Sequence, residues 1–303
     1  MYLSTFIHHN QSRYGYLTND KNSIIDILKA EKVMFPSTIL PLELVDLIGD
    51  PQAMERVEEI RKQLASQQPE DFVIPLTEVR LAAPIPQPKR NIICLGINYR
   101  EHAYEFGKTT DDSKAIPTHP IVFTKATTTV IGPEEPIQSH PDVTQELDYE
   151  AELAIIIGRE GSNISKGEAY DYIFGYTMVN DITARDLQRD HKQWFLGKSL
   201  DTFCPMGPYI ATADEIGNPA MLEIQSRVNG EVRQQSNTEL LIFDIPTIIE
   251  TVSKGITLRP GDIIATGTPK GVGMGFEPPR FLKAGDVVEV EIGSLGVLRN
   301  PVA

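Results

Sequence analysis

ELDYEAELAIIIG, residues 146–158, alternates acidic with apolar or aromatic side chains and then runs into unbroken aliphatics before a glycine. In an extended strand successive side chains face opposite ways, so Glu146, Asp148, Glu150 and Glu152 fall on one face and Leu147, Tyr149, Ala151 and Leu153 on the other. Four carboxylates on one face repel one another unless a cation lies against them. A hard divalent ion answers that need. Residues i and i+2 stand about 7 Å apart along a strand, and glutamates reach from there to one ion at roughly 2.0–2.6 Å per oxygen. The competing reading is an exposed edge strand kept soluble by its acids. Alternation alone does not say which two of the four acids would be ligands.

Working outward, the same strand grammar recurs. NIICLG, PIVFTK, YIFGYTMVN, PYIAT, LEIQSRVNGEVR, DIIATG and DVVEVEIG are β-branched or alternating runs bounded by Gly, Pro, Asn or Asp. Asn229-Gly230 between alternating runs predicts a tight hairpin. Helical stretches are fewer: TARDLQRDHKQW after Asp181, and FDIPTIIETVSKG, where Ile248, Ile249 and Val252 form a stripe ending at Gly255. The class is mixed α/β with β predominating, without the regular alternation of a doubly wound sheet. Residues 1–84 read as a small N-terminal α+β domain and linker. Strand-like TFIHH, YGYL and SIIDIL lead to a helix opened by Asp50 and Pro51, and Pro84, Pro86 and Pro88 stiffen the connection. The main domain is then 85–303. Within it, residues 100–120 match no period and read as an irregular loop, a candidate lid.

The chain has 303 residues and a net charge of −14, which repels phosphate backbones and anionic lipid and so excludes nucleic acid and membrane surfaces as partners. Cys94 and Cys204 form no C-x-x-C pattern and read as buried thiols. With neither a signal-peptide pattern nor a long apolar run, the expectation is a soluble cytoplasmic protein.

Asp181 ends the apolar strand GYTMVND just where a helix begins, a junction where binding groups collect, although it equally suits a helix cap. Arg185 and Gln188 follow on one helix face, a guanidinium and an amide suited to a carboxylate substrate. Gly197-Lys198-Ser199 ends like a phosphate-binding loop, but that motif needs glycine where Lys192 stands. Gly271, Gly273 and Gly275 read as a flexible loop near the site. His8, His9, His119, His140 and His191 read as surface residues.

Taken in order, YEAELAIIIG, NDITARDLQ, FLGKSLDTFCPMGP and GDIIATGTPKGVG resemble the fumarylacetoacetate hydrolase family over roughly residues 80–300. The resemblance implies a β-roll catalytic domain, a homodimer, and Mg²⁺ or Mn²⁺ held by Glu150, Glu152 and Asp181, with Glu146 and Asp148 behind them or at the surface. It places substrate contacts on Arg185, Gln188, Lys198, Thr268 and Lys125, with Lys198 also in a catalytic role. His102 becomes the general base and Glu105, one helical turn on, its orienting partner. Enzymes acting on fumarylacetoacetate itself carry Tyr four residues after the Gln, where this chain has Lys192, which turns the expectation toward smaller 2-oxo acids. The implied reaction is hydrolysis of an acylpyruvate between C3 and C4 through a metal-stabilised pyruvate enolate. Decarboxylation of oxaloacetate through the same enolate is the alternative, and a non-catalytic protein binding a metabolite or partner is a second.

Overall fold

The computed structural model describes residues 1–65 and 72–303; residues 66–71, which take in the start of the QQPEDFVIPL stretch, lie outside the description. The fold is mixed α/β and strand-rich, organised by one large sheet. From one edge its strands run Val73–Pro75, Ser23–Asp26, Gln11–Leu17, Tyr2–His8, Cys204–Thr212, Ile173–Asn180, Ala151–Ile157, Ile263–Ala265, Ile92–Gly96 and Ile121–Lys125. Along that path neighbours are antiparallel except Ile263–Ala265 with Ile92–Gly96. A second, four-stranded antiparallel sheet orders Glu231–Asn237, Glu223–Val228, Val287–Ile292 and Val297–Pro301.

Ala151–Ile157 is interior in this sheet and wholly buried, which explains why AIII does not alternate. Leu153, Ile155 and Ile157 pack with Ile248 and Ile249 of the helix Ile245–Ser253 and with Ile224, Val290 and Ile292 of the smaller sheet. Ala154 and Ile156 face the other way, into a core shared with Ala53, Val57 and Ile60 of the helix Pro51–Ala65. That helix starts where Asp50 accepts the Gln52 and Ala53 amides, the cap expected of Asp-Pro. Asp244 caps the later helix through the Thr247 amide.

The N-terminal strands extend the large sheet, because Tyr2 and Leu3 pair with Ala211 and Ile210. Pro84 and Ile85 are buried, and the Thr5 hydroxyl donates to the Pro84 carbonyl at 2.8 Å, so the proline run is packed against the N-terminal strands. SIIDIL is strand only as far as Asp26, whose carboxylate caps the helix Ile27–Met34. Asn229-Gly230 makes its two-residue turn with both φ angles positive, 53° and 79°. No helix among the described residues is long and apolar enough to cross a membrane.

Two local readings differ from the structure. The acidic stretch is not one strand: Leu147–Asp148 pairs with Thr183–Ala184, and pairing resumes at Ala151 against Asn180. At the break the Glu150 amide donates to Asn180 Oδ1 and the Asp181 amide to the Glu150 carbonyl, so the chain changes partners there. Residues 100–120 are not irregular throughout either. Arg100–Gly107 is a helix closed by Lys108 in the left-handed region, and Asp112–Ala115 adds a turn of helix.

Candidate active site

Glu150 lies in the strand break, Glu152 on the central strand, and Asp181 just past the neighbouring strand's end. One carboxylate oxygen from each lies within 4.8 Å of the others, and all three residues are buried. Lys198 Nζ donates to Glu150 Oε2 at 2.8 Å and to Asp181 Oδ2 at 2.6 Å. Lys125 Nζ takes the other Asp181 oxygen at 2.5 Å and the Ile182 carbonyl at 3.0 Å. Arg185 contacts Glu150 Oε1 at 2.7 Å and donates through Nε to Asp148 at 2.8 Å and through Nη1 to Gln188 Oε1 at 3.1 Å. Four buried carboxylates thus face three buried cations.

The acids are not equivalent. Burial opposes ionisation of Glu150, yet the Lys198 ammonium and the Arg185 guanidinium prevail and hold its carboxyl well below the usual range. Glu152 has no ion-pair partner among the described residues, and its recorded bond is from the Gly267 amide at 2.9 Å. Burial, with Asp181 and Glu150 beside it, raises its carboxyl well above the usual range. Burial opposes the charge on Lys198 as well, but Asp181 and Glu150 overrule it and raise the ammonium. An all-oxygen donor set carrying excess negative charge fits a hard divalent cation.

Because burial and the neighbouring acids raise the Glu152 carboxyl, a cation that takes all three carboxylates competes with a proton for it. Mn²⁺ binding is therefore expected to release protons and to tighten as pH rises toward the raised Glu152 value. Calorimetric titrations in buffers of differing ionisation heat check this; an affinity independent of pH, without proton release, would contradict it.

The helix Arg100–Gly107 brings His102 to this centre. His102 is 4% exposed, and its Nδ1 lies 2.9 Å from Glu105 Oε2. A carboxylate only accepts, so Nδ1 carries the proton of this bond, and Nε2 is the ring nitrogen that Glu105 does not engage. Glu105 Oε1 accepts the Gly271 amide at 3.0 Å, while the Gly273 and Met274 amides donate to Asp148 at 2.6 and 3.0 Å. One glycine-rich loop therefore positions both the acid behind His102 and the acid behind Arg185. The Tyr149 hydroxyl anchors that loop through the Gly271 carbonyl at 2.9 Å, and Lys270 ties it to Glu101 of the helix at 2.7 Å.

Gly275 approaches so closely that a Cβ there would stand 1.9 Å from Glu105 Oε1. Gly275→Ala is expected to displace the Glu105 carboxylate and so disturb its bond to His102. Turnover is expected to drop by about 10²-fold, the scale of an ångström-level misplacement. Metal affinity should hold. Steady-state kinetics beside Mn²⁺ titration separate the two effects.

His102, Glu150, Arg185, Gln188, Lys198 and Thr268 line one cavity, closed by Phe106, Phe123 and Trp194. Its volume is about 10 Å³, near that of a single water. Lys125 does not line it: its ammonium sits behind Asp181. The Thr268 hydroxyl donates to the Ala151 carbonyl at 3.0 Å and accepts from Gln234 Nε2 at 2.8 Å. Sequence reasoning missed the aromatic closure, the loop amides and the use of Asp148 to anchor Arg185. Trp194 packs on Gly96, and Phe123 stands edge-on to it with centroids 5.2 Å apart. The chain's one tryptophan, next to the LGKS segment, was the available signal. Cys94 and Cys204 are buried as expected, and burial pushes the Cys204 thiol up to about 12.

The family described as fumarylacetoacetate (FAA) hydrolase C-terminal matches residues 91–303. The chain is 49% identical over 300 residues to oxaloacetate tautomerase YisK of Bacillus subtilis, covering 97% of each. Among solved structures, a fumarylacetoacetate hydrolase from Exiguobacterium antarcticum is 40% identical with a TM-score of 0.81, over 100% of this chain and 99% of that one. A maleylpyruvate hydrolase from Sphingobium sp. SYK-6, in complex with manganese(II) and pyruvate, is 32% identical with a TM-score of 0.76 over the same shares.

Proposed function

The chain belongs to the fumarylacetoacetate hydrolase family, and from that we propose that it is an enzyme interconverting the enol and keto forms of oxaloacetate, with Mg²⁺ or Mn²⁺ held by Glu150, Glu152 and Asp181. The observation that carries this is the oriented His102–Glu105 pair in one cavity wall with Arg185, Gln188 and Lys198. Enol–keto exchange needs a base that can both take and return a proton, cations for the acid group, and no attacking water.

Arg185 and Gln188 hold the carboxylate next to the 2-oxo carbon. Nε2 of His102 takes the enol hydroxyl proton as that oxygen's electron pair forms the carbonyl, and the former double-bond pair accepts the proton at C3. Glu105 keeps the imidazole in the tautomer this requires and stabilises it while charged. Phe106, Phe123 and Trp194 exclude bulk water. The chemistry a divalent cation supplies at such a triad is stabilisation of negative charge on the 2-oxo oxygen.

The 49% identical relative's name favours proton transfer ahead of the hydrolysis that the sequence reading put first. Hydrolysis stays as a second reading because the maleylpyruvate hydrolase structure holds pyruvate. In that case His102 deprotonates a water that adds to the distal carbonyl, the C3–C4 bond breaks, and C3 takes the proton.

One assay series tests these readings. With Mg²⁺ or Mn²⁺ present and chelator as control, loss of enol absorbance from oxaloacetate is followed beside pyruvate release from oxaloacetate and from acylpyruvates. Enol loss without pyruvate is expected. Pyruvate from acylpyruvates at a comparable rate would establish the hydrolase, pyruvate from oxaloacetate the decarboxylase, and no turnover anywhere a binding protein.

A further inference from the structure

A larger cavity of about 480 Å³ adjoins the inner one, and the two share Phe106, Arg185, Gln188 and Trp194 as walls. The outer cavity's charged lining is cationic in excess: Lys108, Arg189, Lys192 and the shared Arg185 against Glu146 alone. Two of these cations are committed. Arg189 is bonded to Glu146 at 3.0 Å and contacts Asp190 at 3.4 Å, while Arg185 serves Asp148 and Glu150. Lys108 and Lys192 have no ion pair or side-chain hydrogen bond among the described residues, and both are exposed.

Both lysines sit on tight left-handed turns, φ 48° and 61°: Lys108 at the end of the helix carrying His102, Lys192 four residues past Gln188. Two unpaired lysines lining one cavity give it positive charge suited to an anion on a chain of net charge −14. Inside, every cation is already bonded to a carboxylate of the acidic cluster, and Arg185 is the one that the proposed reaction assigns to the carboxylate next to the 2-oxo carbon. A second carboxylate on the substrate thus finds its uncommitted partners in the outer cavity.

We propose that Lys108 and Lys192 form a subsite for the distal carboxylate of a 2-oxo or 2-hydroxy dicarboxylate, selecting diacids over the corresponding monoacids. This rests on the reading of the inner cavity as the seat of the 2-oxo acid group. Lysine's flexible stem suits the task, because the ammonium can follow the distal end of the substrate.

Trp194 lies in the wall between the two cavities, so its fluorescence reports binding without turnover. The metal-loaded protein is titrated with malate and with lactate, which share a 2-hydroxy acid head and differ in the distal carboxylate. Malate is expected to bind more tightly. Lys108→Ala/Lys192→Ala should shrink the preference by about tenfold, the loss of one charge-assisted hydrogen bond. Likewise, kcat/KM for oxaloacetate should fall by about that factor relative to its 4-methyl ester. Equal affinities in the unaltered protein, or a malate preference that survives the double substitution, overturn the subsite. A lysine-dependent malate preference in a protein with no tautomerase activity would instead overturn the proposed reaction and leave the subsite standing.

Discussion

Exchanging His102 for asparagine is expected to lower kcat for oxaloacetate tautomerisation by about 10²–10⁴-fold, the contribution typical of one positioned acid–base group. Metal affinity should be unchanged, because His102 belongs to the helix opposite the acids. Its Nδ1 is spoken for by Glu105, and Glu105 is fixed in turn by the Gly271 amide. Nε2 is thus the atom left to carry the proton, and asparagine cannot reproduce a base there. Stopped-flow loss of enol absorbance measures the effect. Undiminished turnover would remove His102 from the mechanism. Should the variant lose acylpyruvate hydrolysis yet keep oxaloacetate decarboxylation, His102 would instead be a water-activating base.

Glu150→Gln should be costlier to the site as a whole. Glu150 is contacted by both Lys198 and Arg185, and it supplies one of three oxygens to the acidic cluster. Replacing it leaves Lys198 with Asp181 and Arg185 with Asp148, so stability should fall by less than the roughly 3–5 kcal/mol that follows complete unpairing of a buried charge. Turnover should fall by more than about 10²-fold, since even the outer partners of metal ligands are worth 10–100-fold in affinity or activity. Calorimetric Mn²⁺ titration and thermal unfolding separate the two consequences. Full affinity and turnover in the variant would show that the ion is held elsewhere.

Sign matters for the pH dependence of the same network. Because Glu150's folded value lies below its unfolded one, its stabilisation is complete above the usual carboxylate range and disappears as pH falls through the depressed value. Lys198, raised in the fold, stabilises fully below the ordinary lysine value and loses that contribution only as pH climbs through its raised one.

Much of this architecture was legible in the sequence because it depends on local pattern. The run of aliphatics after Glu152 announced a strand, Asn229-Gly230 announced its turn, and Asp50-Pro51 its helix, but the interior place of that strand came only with the fold. The acids at 150, 152 and 181 were singled out as a set by the family resemblance, since alternation alone left four candidates on the strand and Asp181 equally suited a helix cap. Long-range choices were not. Nothing local in Tyr2–His8 says that it will pair with Cys204–Thr212, so its place in the large sheet could not be read. Asp148 was grouped with its neighbours by alternation, and its separate role follows from a change of strand partners at Glu150. The amides of Gly271, Gly273 and Met274 carry no side-chain signature, and the lid helix buries only His102 and Ala103, too little for a periodic stripe.

The strand Ala151–Ile157 is hydrogen-bonded on both sides, to Ile173–Asn180 and to Ile263–Ala265, whereas the helix above it is tethered to the 270–275 loop by Glu105 and Lys270. In isotope-labelling terms the two walls of one cavity belong to different clocks. Amide protons of the strand should exchange with deuterium only when the whole chain unfolds, and those of residues 100–107 whenever the tether lets go. A ligand that bridges the walls would bring the fast clock toward the slow one.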